Sequence, residues 1–291
     1  MIQLTDIHLQ FPQKVIFSGV NLTIDQGEIV GLVAPNGMGK TSFLNLLMAY
    51  LAPDQGKISL GKLDYQRKNL TKIYQQLTKM PDQDDLYEDL TGTEHLKLYQ
   101  NMWKQSSREP KEIVELLKMG HFSNQKVKTY SLGMRQRLCF AMMLVANTPV
   151  MLLDELTNGL DVEHIQMVSQ IILDLKAQGT TIVMVSHLLS NLETVADRIY
   201  FLKDGAFVHT WEKDTEAHTN RVLLFETKQA VDTIRKKVYT VNNQPEKYYF
   251  YPTEIEAEMA QVMDLQPSTI SLQQLPLELL YEQIYHNETN A

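Results

Sequence analysis

Residues 31 to 41 read Gly31-Leu-Val-Ala-Pro-Asn-Gly-Met-Gly-Lys40-Thr41, an apolar strand that breaks into a glycine-bearing loop. Gly37 and Gly39 let the backbone turn tightly enough to aim several N–H groups at one set of phosphate oxygens. Lys40 adds a mobile cation for β- and γ-phosphates, and the Thr41 hydroxyl suits magnesium. The helix predicted to start here, through Leu44, Leu47 and Met48, adds the positive end of its dipole. Ala34 stands where the strict pattern has glycine; a small residue suits that turn, and looser forms of the motif accept alanine. Chance glycines in an ordinary strand–turn–helix are the alternative, and the complete strand, loop and helix context weighs against it.

Composition bounds what surrounds the loop. The chain has 291 residues, 44% hydrophobic and 21% charged, enough for one large domain and a smaller one of globular type. A net charge of −8 argues against broad phosphate neutralisation on nucleic acid. Cys139 is the single cysteine, so no internal disulfide forms, which suits a reducing compartment. It lies in the apolar run Leu138 to Val145 and reads as a buried helix position. No stretch has the pattern of a secretion signal. No apolar run reaches the ~18 residues of a membrane-spanning helix, because Asn147, Pro149 and Asp154 interrupt the longest candidate. The expectation is a chain that does not span a membrane by itself.

Upstream of the loop, alternation at Ile2-Leu4, Ile7-Leu9 and Val20-Leu22-Ile24 predicts an antiparallel sheet, with Asp25-Gln26-Gly27 as a hairpin-type turn into the strand Ile29–Val33. Asp54-Gln55-Gly56 reads as a further turn before Lys57–Leu60. From about 86 to 145 the pattern is helical. Thr91 and Glu94 form a capping box ahead of Leu96, Tyr99 and Trp103. Pro110 opens a helix through Ile113, Leu116 and Leu117 that Gly120 can end. Val150–Leu153 is a short buried strand, Asp161 to Gln178 an amphipathic helix, and Thr181–Ser186 another buried strand. Strands alternating with helices imply a parallel sheet at the phosphate loop.

Two further segments carry chemistry. Met151-Leu-Leu-Asp154-Glu155 is an apolar strand that delivers two carboxylates at its end. Asp154 can hold magnesium through its water shell, and Glu155 can polarise a water for attack on a γ-phosphate. Ser131-Leu-Gly133-Met-Arg135-Gln-Arg137 precedes an apolar helix. Ser131 is a good N-cap, and Ser131 with Gly133 also reads as a second anion site at a helix N-terminus. The histidines His8, His95, His121, His164 and His187 are scattered and form no metal-binding pattern.

Together these segments resemble the ATP-binding cassette (ABC) ATPases. The loop at 34–41, the signature Tyr130-Ser-Leu-Gly-Met134, the strand and loop from Leu152 to Asp161, His187 after its strand, and Phe11 upstream of Val15 and Ile16 stand in the family's order. The resemblance covers roughly residues 1–210. It implies an α/β fold: a RecA-like P-loop core with an antiparallel β subdomain and an inserted helical subdomain at about 86–145, together residues 1–212. It implies ATP and Mg²⁺ as cofactors. Asn36, Gly37, Gly39, Lys40, Thr41 and Ser42 would grip phosphates, Thr41 and Asp154 the metal, and Phe11 would stack on adenine. Glu155 would be the base and His187 a sensor of the γ-phosphate. Ser131 and Gly133, with Asp161, would serve the ATP held by an opposite subunit. A second cassette chain, most simply a second copy, and membrane-spanning permease subunits are the implied partners, with the chain peripheral at the cytoplasmic face of the membrane and no nucleic acid involved. In such proteins a helix of the spanning subunit docks near the loop at 82–87, here an apolar patch of Leu86, Tyr87 and Leu90.

The chain departs from the family at several positions. Asp82 stands where a catalytic glutamine is expected, and Gln83 is one position late. Leu132 and Met134 replace glycine and glutamine in the signature, and Leu156 replaces a proline. Signatures of the Tyr-Ser-Leu-Gly-Met type resemble those of exporters for bacitracin- or lantibiotic-like peptides. A soluble ATPase acting on ribosomes or nucleic acid, and a weakly hydrolysing ATP sensor, are the other readings.

Beyond Gly205 the pattern predicts a small α+β domain, residues 213–291. Strands are expected at Arg221–Phe225, Tyr248–Tyr251 and Ser268–Leu272. Helices are expected at Lys228–Lys237, through Ile255 and Met259, and ending near Tyr285. The aromatic run at 248–251 reads as a half-buried strand rather than a base-stacking surface. The resemblance implies partner contact or regulation for this part.

Overall fold

The computed structural model describes residues 1–104, 107–213, 221–228, 238–241, 244–250, 259–260, 262–274 and 276–286. The strand that feeds the phosphate loop, β3 (Ile29–Val33), is buried at every position, as a strand covered on both faces must be. It lies inside a six-stranded sheet of order β10-β9-β3-β8-β7-β6, built from β6 (Leu77–Lys79), β7 (Val150–Asp154), β8 (Thr181–Val185), β9 (Arg198–Lys203) and β10 (Ala206–Glu212). All neighbouring pairs are parallel except β9 with β10. The carboxyl ends of β3, β6, β7 and β8 therefore open on one edge, where ligands bind in sheets of this kind.

A second sheet, of order β2-β1-β4-β5, is antiparallel. It contains β1 (Ile2–Phe11), β2 (Lys14–Ile24), β4 (Gln55–Leu60) and β5 (Leu63–Asp64). The alternating residues Ile2, Leu4, Ile7 and Leu9 face a core that also takes in Leu32, Phe43, Leu47 and Val183, so the two sheets share one hydrophobic interior. Asp25–Gly27 is not a hairpin: β2 and β3 belong to different sheets, and the turn carries the chain between them. Gln55 and Gly56 are not a turn either, but the start of β4. Gly56 has φ +97°, and a Cβ there would lie 2.3 Å from the Asp6 carbonyl oxygen, so the two strands approach where β1 slips register.

Helix α1 (Lys40–Leu47) follows the phosphate loop, and α2 (Leu70–Tyr74) precedes β6. The helical stretch holds α3 (Gly92–Met102), α4 (Pro110–Leu116) and α5 (Leu132–Ala146). Thr91 and Glu94 form the full capping box at α3. Helix α4 ends differently from its prediction: Lys118, at φ +51°, takes the left-handed position ahead of Gly120. From Gln136 to Ala146, α5 is buried on every side, Cys139 included. Helices α6 (Val162–Ala177) and α7 (Leu189–Val195) complete this unit, which spans Met1–Lys213.

The second unit, Asp214–Ala291, has a four-stranded antiparallel sheet of order β12-β13-β11-β14. Its strands are β11 (Arg221–Glu226), β12 (Val238–Val241), β13 (Gln244–Phe250) and β14 (Thr269–Gln274), followed by α8 (Leu277–His286). Leu223, Phe225, Val262 and Leu265 form its core, with Tyr248 stacked on Phe225 at 5.5 Å. Strand β12 has no counterpart in the sequence reading. The helices expected at Lys228–Lys237 and through Ile255 lie almost wholly outside the described residues.

Candidate functional site

The loop after β3 is held open by its glycines. Gly37 and Gly39 have φ +77° and +107°, and a Cβ on Gly39 would sit 2.8 Å from Ile16 Cγ2. Gly39 is the N-cap of α1 and offers no side-chain cap, so the first-turn N–H groups remain available to an anion. Lys40 is 8% exposed and donates to the carbonyl oxygen of Ala34 at 2.7 Å, with Pro35 O and Asn36 Oδ1 each at 3.4 Å. Burial holds its ammonium below the usual lysine range, against the pull of Glu155 and Asp154.

Across from the loop, β7 ends in Asp154 and Glu155. Burial pushes the Asp154 carboxyl above the ordinary carboxylate range, with Lys79 and Lys40 pulling it back. Burial also raises Glu155, against the His187 N–H and Lys40. Glu155 itself has φ +49°. From the end of β8, His187 brings Nε2 to 3.0 Å from Glu155 Oε1 and donates its backbone N–H to Oε2 at 3.3 Å. Burial, then Lys40, lower the imidazole pKa, so His187 is neutral near pH 7.

One cavity of about 640 Å³ unites these groups, a size that suits a nucleotide. Phe11, Asn36, Gly37, Gly39, Lys40, Thr41 and Ser42 form one wall; Asp82, Asp154, Glu155 and His187 form the other. The Thr41 hydroxyl and Asp154 carboxylate are hard oxygen donors of the kind magnesium takes. Among the described residues no group of three or more His, Cys, Asp or Glu is arranged to hold a metal ion by itself. Few protein ligands with phosphate oxygens completing the shell is how magnesium binds nucleotides, so the donor set fits.

Two lysines of this cavity were not foreseen. Lys14 Nζ donates to Gly37 O at 2.8 Å, and Lys79 Nζ to Asn45 Oδ1 at 3.3 Å. Lys14 lies in the sequence between Phe11 and Val15, and Lys79 is the last residue of a strand that ends on the site edge; those positions were the available signals. Asp82 lies in the cavity and accepts from Asp84 N–H at 3.2 Å, while the amide of neighbouring Gln83 donates to Gln136 Oε1.

Ser131, Gly133 and Asp161 are gathered elsewhere, around a separate concavity of about 330 Å³. Ser131 Oγ caps α5 by accepting from Met134 N–H at 3.3 Å. A Cβ on Gly133 would lie 2.7 Å from Gly159 O, so its glycine is required by the chain's own loop as well as by any ligand. Asp161 caps α6 and accepts from His164 Nδ1 at 2.7 Å; His164 Nε2 in turn faces Arg137 at 2.9 Å. The apolar patch is smaller than expected. Leu86 is core at 4% exposed, whereas Tyr87 is 65% exposed and joins Leu90 and Leu98 around a shallow concavity.

The comparisons with known proteins agree with this arrangement. The ABC transporter family model matches residues 17–158. The lantibiotic transport ATP-binding protein SrtF of Streptococcus pyogenes is 30% identical over 233 residues, 79% of this chain and 100% of that protein. The uncharacterized ABC transporter ATP-binding protein YhcH of Bacillus subtilis is 32% identical over 236 residues, 79% of this chain and 76% of that one. The dimeric cassette MJ0796, solved in a post-hydrolysis state with ADP and Pi, superposes with a TM-score of 0.66 at 27% identity, over 74% of this chain and all of that one. A phosphate loop, a carboxylate pair and a separate signature face on one RecA-like core thus stand beside two cassettes, SrtF and MJ0796, matched over their full length, and the chain belongs to the ABC transporter family as one of its ATPase cassettes.

Proposed function

We propose that this cassette closes head-to-tail with a second copy of itself around two ATP molecules and drives export through separate membrane-spanning subunits at the cytoplasmic face of the membrane. One observation carries the dimer: the phosphate cavity and the Ser131–Gly133 face are distinct concavities with no lining residue in common. The base is in the first, and the helix N-terminus that would bind a γ-phosphate is in the second. A second copy, turned head-to-tail, brings each face to the other's cavity. The SrtF and MJ0796 names, lantibiotic transport and a dimer with ADP and Pi, favour transport and the two-cassette state, and the export direction rests on the resemblance of the signature.

Within residues 1–212 the geometry supports the following division of labour. Phe11, 44% exposed at the cavity mouth, stacks on adenine. The loop N–H groups, Asn36, Lys40 and Ser42 hold the phosphates. Thr41 and Asp154 are the residues that would hold magnesium, which when bound neutralises charge between β- and γ-phosphate oxygens. Glu155 takes a proton from water as the water oxygen bonds to the γ-phosphorus and the bond to the β–γ bridging oxygen breaks. Its raised pKa makes it a stronger base than an exposed glutamate. His187 holds that carboxylate by its backbone N–H, with its neutral ring beside the other oxygen. The concavity at Tyr87, Leu90 and Leu98 is the contact for a permease helix. No helix among the described residues is long and apolar enough to cross a membrane. Residues 213–291 form an accessory domain.

Glu155→Gln tests the reading. It should bind ATP as the wild type does, lose turnover by roughly 10²-fold or more, and elute as an ATP-dependent dimer from a sizing column. A variant that stays monomeric with saturating ATP would overturn the dimer, and one with wild-type turnover would remove Glu155 as the base.

A further inference from the structure

Glu155 occupies a backbone conformation that its neighbours must hold. At φ +49° it lies in the left-handed region, which costs a residue with a Cβ about 1 kcal/mol or more. Three hydrogen bonds fix its main chain, one of them from Asn158 N–H to its carbonyl at 3.1 Å within the following turn; the other two come from outside that turn. Its N–H donates to Val185 O at 2.9 Å, and its carbonyl accepts from Gln136 Nε2 at 2.9 Å. Gln136 projects from α5 and is 3% exposed, so water cannot replace a partner it loses. Its own amide oxygen accepts from Gln83 Nε2.

The direction of this chain is forced. A backbone carbonyl can only accept, so Gln136 must turn its NH₂ toward Glu155 and its oxygen away. The group meeting that oxygen must then be a donor, and Gln83 meets it with NH₂. The amide orientations are therefore set by the network itself. Gln83 Oε1 is buried without a partner among the described residues, which is the cost of holding this orientation. Gln83 stands on the loop between β6 and α3, beside Asp82 and four residues before exposed Tyr87.

We propose that Gln83 is a positioning residue: through Gln136 it holds the Glu155 peptide, and with it the carboxylate, where water is deprotonated. The assignment rests on Glu155 being the base. It gives the late glutamine of this loop a task different from the one Asp82 has in the cavity, and it links that loop to the catalytic strand by two side-chain amides.

The test compares Gln83→Glu and Gln83→Ala with wild type and with Glu155→Gln. A glutamate of the same length cannot donate to Gln136 when ionised, and alanine removes the donor. Both should lower kcat about tenfold, the scale of one hydrogen bond at the transition state. KM for ATP and the affinity for a fluorescent ATP analogue should stay within twofold of wild type, because the phosphate loop is untouched. Thermal melting should drop by only a few degrees, because the buried Gln136 oxygen loses its donor while the rest of the core is untouched; the split between kcat and KM carries the test. Wild-type kcat in both variants, alongside the expected loss in Glu155→Gln, would overturn the inference and leave the base standing. A parallel rise in KM would make Gln83 a nucleotide contact and equally overturn it. Wild-type turnover in Glu155→Gln would instead overturn the base itself.

Discussion

The phosphate cavity and the signature face differ in what their charges are doing. The cavity sets Lys14, Lys40 and Lys79 against Asp82, Asp154 and Glu155, several of them partly buried and shifted by burial. Such groups are poised for a ligand of opposite charge and for proton transfer. On the signature face the charges already answer one another. Arg137 faces His164, His164 faces Asp161, and the Arg137 guanidinium also lies 4.8 Å above the Phe122 ring. What remains toward solvent there is a serine hydroxyl, the start of a helix and exposed Leu132. One region is reactive, and the other is a shaped, nearly neutral surface. The contrast teaches that the groups suited to reaction chemistry are concentrated in the cavity, and that the face offers shape and a helix N-terminus instead, as the proposed head-to-tail dimer requires.

The comparison breaks most visibly at Lys40. Lys40→Ala removes the buried cation nearest the loop and leaves phosphate charge uncompensated. Charge-assisted hydrogen bonds are worth about 1.5–3 kcal/mol each, so losing contacts to two phosphates should weaken ATP binding about 10²–10⁴-fold. Equilibrium binding of a fluorescent analogue measures it, and unchanged affinity would refute the cavity as the nucleotide site. Gly133→Ala probes the other region. Its Cβ would press on Gly159 O, a backbone atom that can move only by shifting the loop that carries Asp161. A single chain should still bind ATP with wild-type affinity, while ATP-driven association of the Glu155→Gln background should fall about tenfold or more by sedimentation. Loss of ATP affinity in that variant would mean that the two regions are not separable.

The parts of this site that were legible in the sequence are those written in consecutive residues. Gly37, Gly39, Lys40 and Thr41 bear on one ligand within five positions, and the Asp154-Glu155 pair follows its strand directly. The capping box at Thr91 is likewise local. What was not legible depends on segments far apart. Lys14 reaches Gly37 across two strands of different sheets, and Gln83 reaches Gln136 from another element. Gly133 read as an anion contact, whereas its tightest constraint is a loop 26 positions later, at Gly159. Turn residues misled where tertiary contacts decided: Gly56 fits a close strand crossing, and Lys118 takes the left-handed position in place of Gly120. Leu86 shows the same limit, since a short apolar run does not say which member faces inward.

Asp82 offers the smallest and most specific test of how the cavity is balanced. Its carboxylate shares the cavity with Asp154 and is one of the causes that raise Asp154 above the ordinary carboxylate range. In Asp82→Gln that like charge is gone while oxygen and length are restored, so Asp154 ionises more readily and is freer to bind a cation. Turnover should be kept, with half-maximal activity at an equal or lower magnesium concentration. Asp82→Ala removes the charge too, but also the oxygen that reaches a water or the metal, so turnover should fall a few-fold, on the order of one neutral hydrogen bond. It also removes the acceptor for Asp84 N–H, which loosens the turn at 83–85. A magnesium titration of turnover in the two variants separates these effects. If both behave as wild type, Asp82 has no part in the reaction, and the cavity works with Asp154 and Glu155 alone against its three lysines.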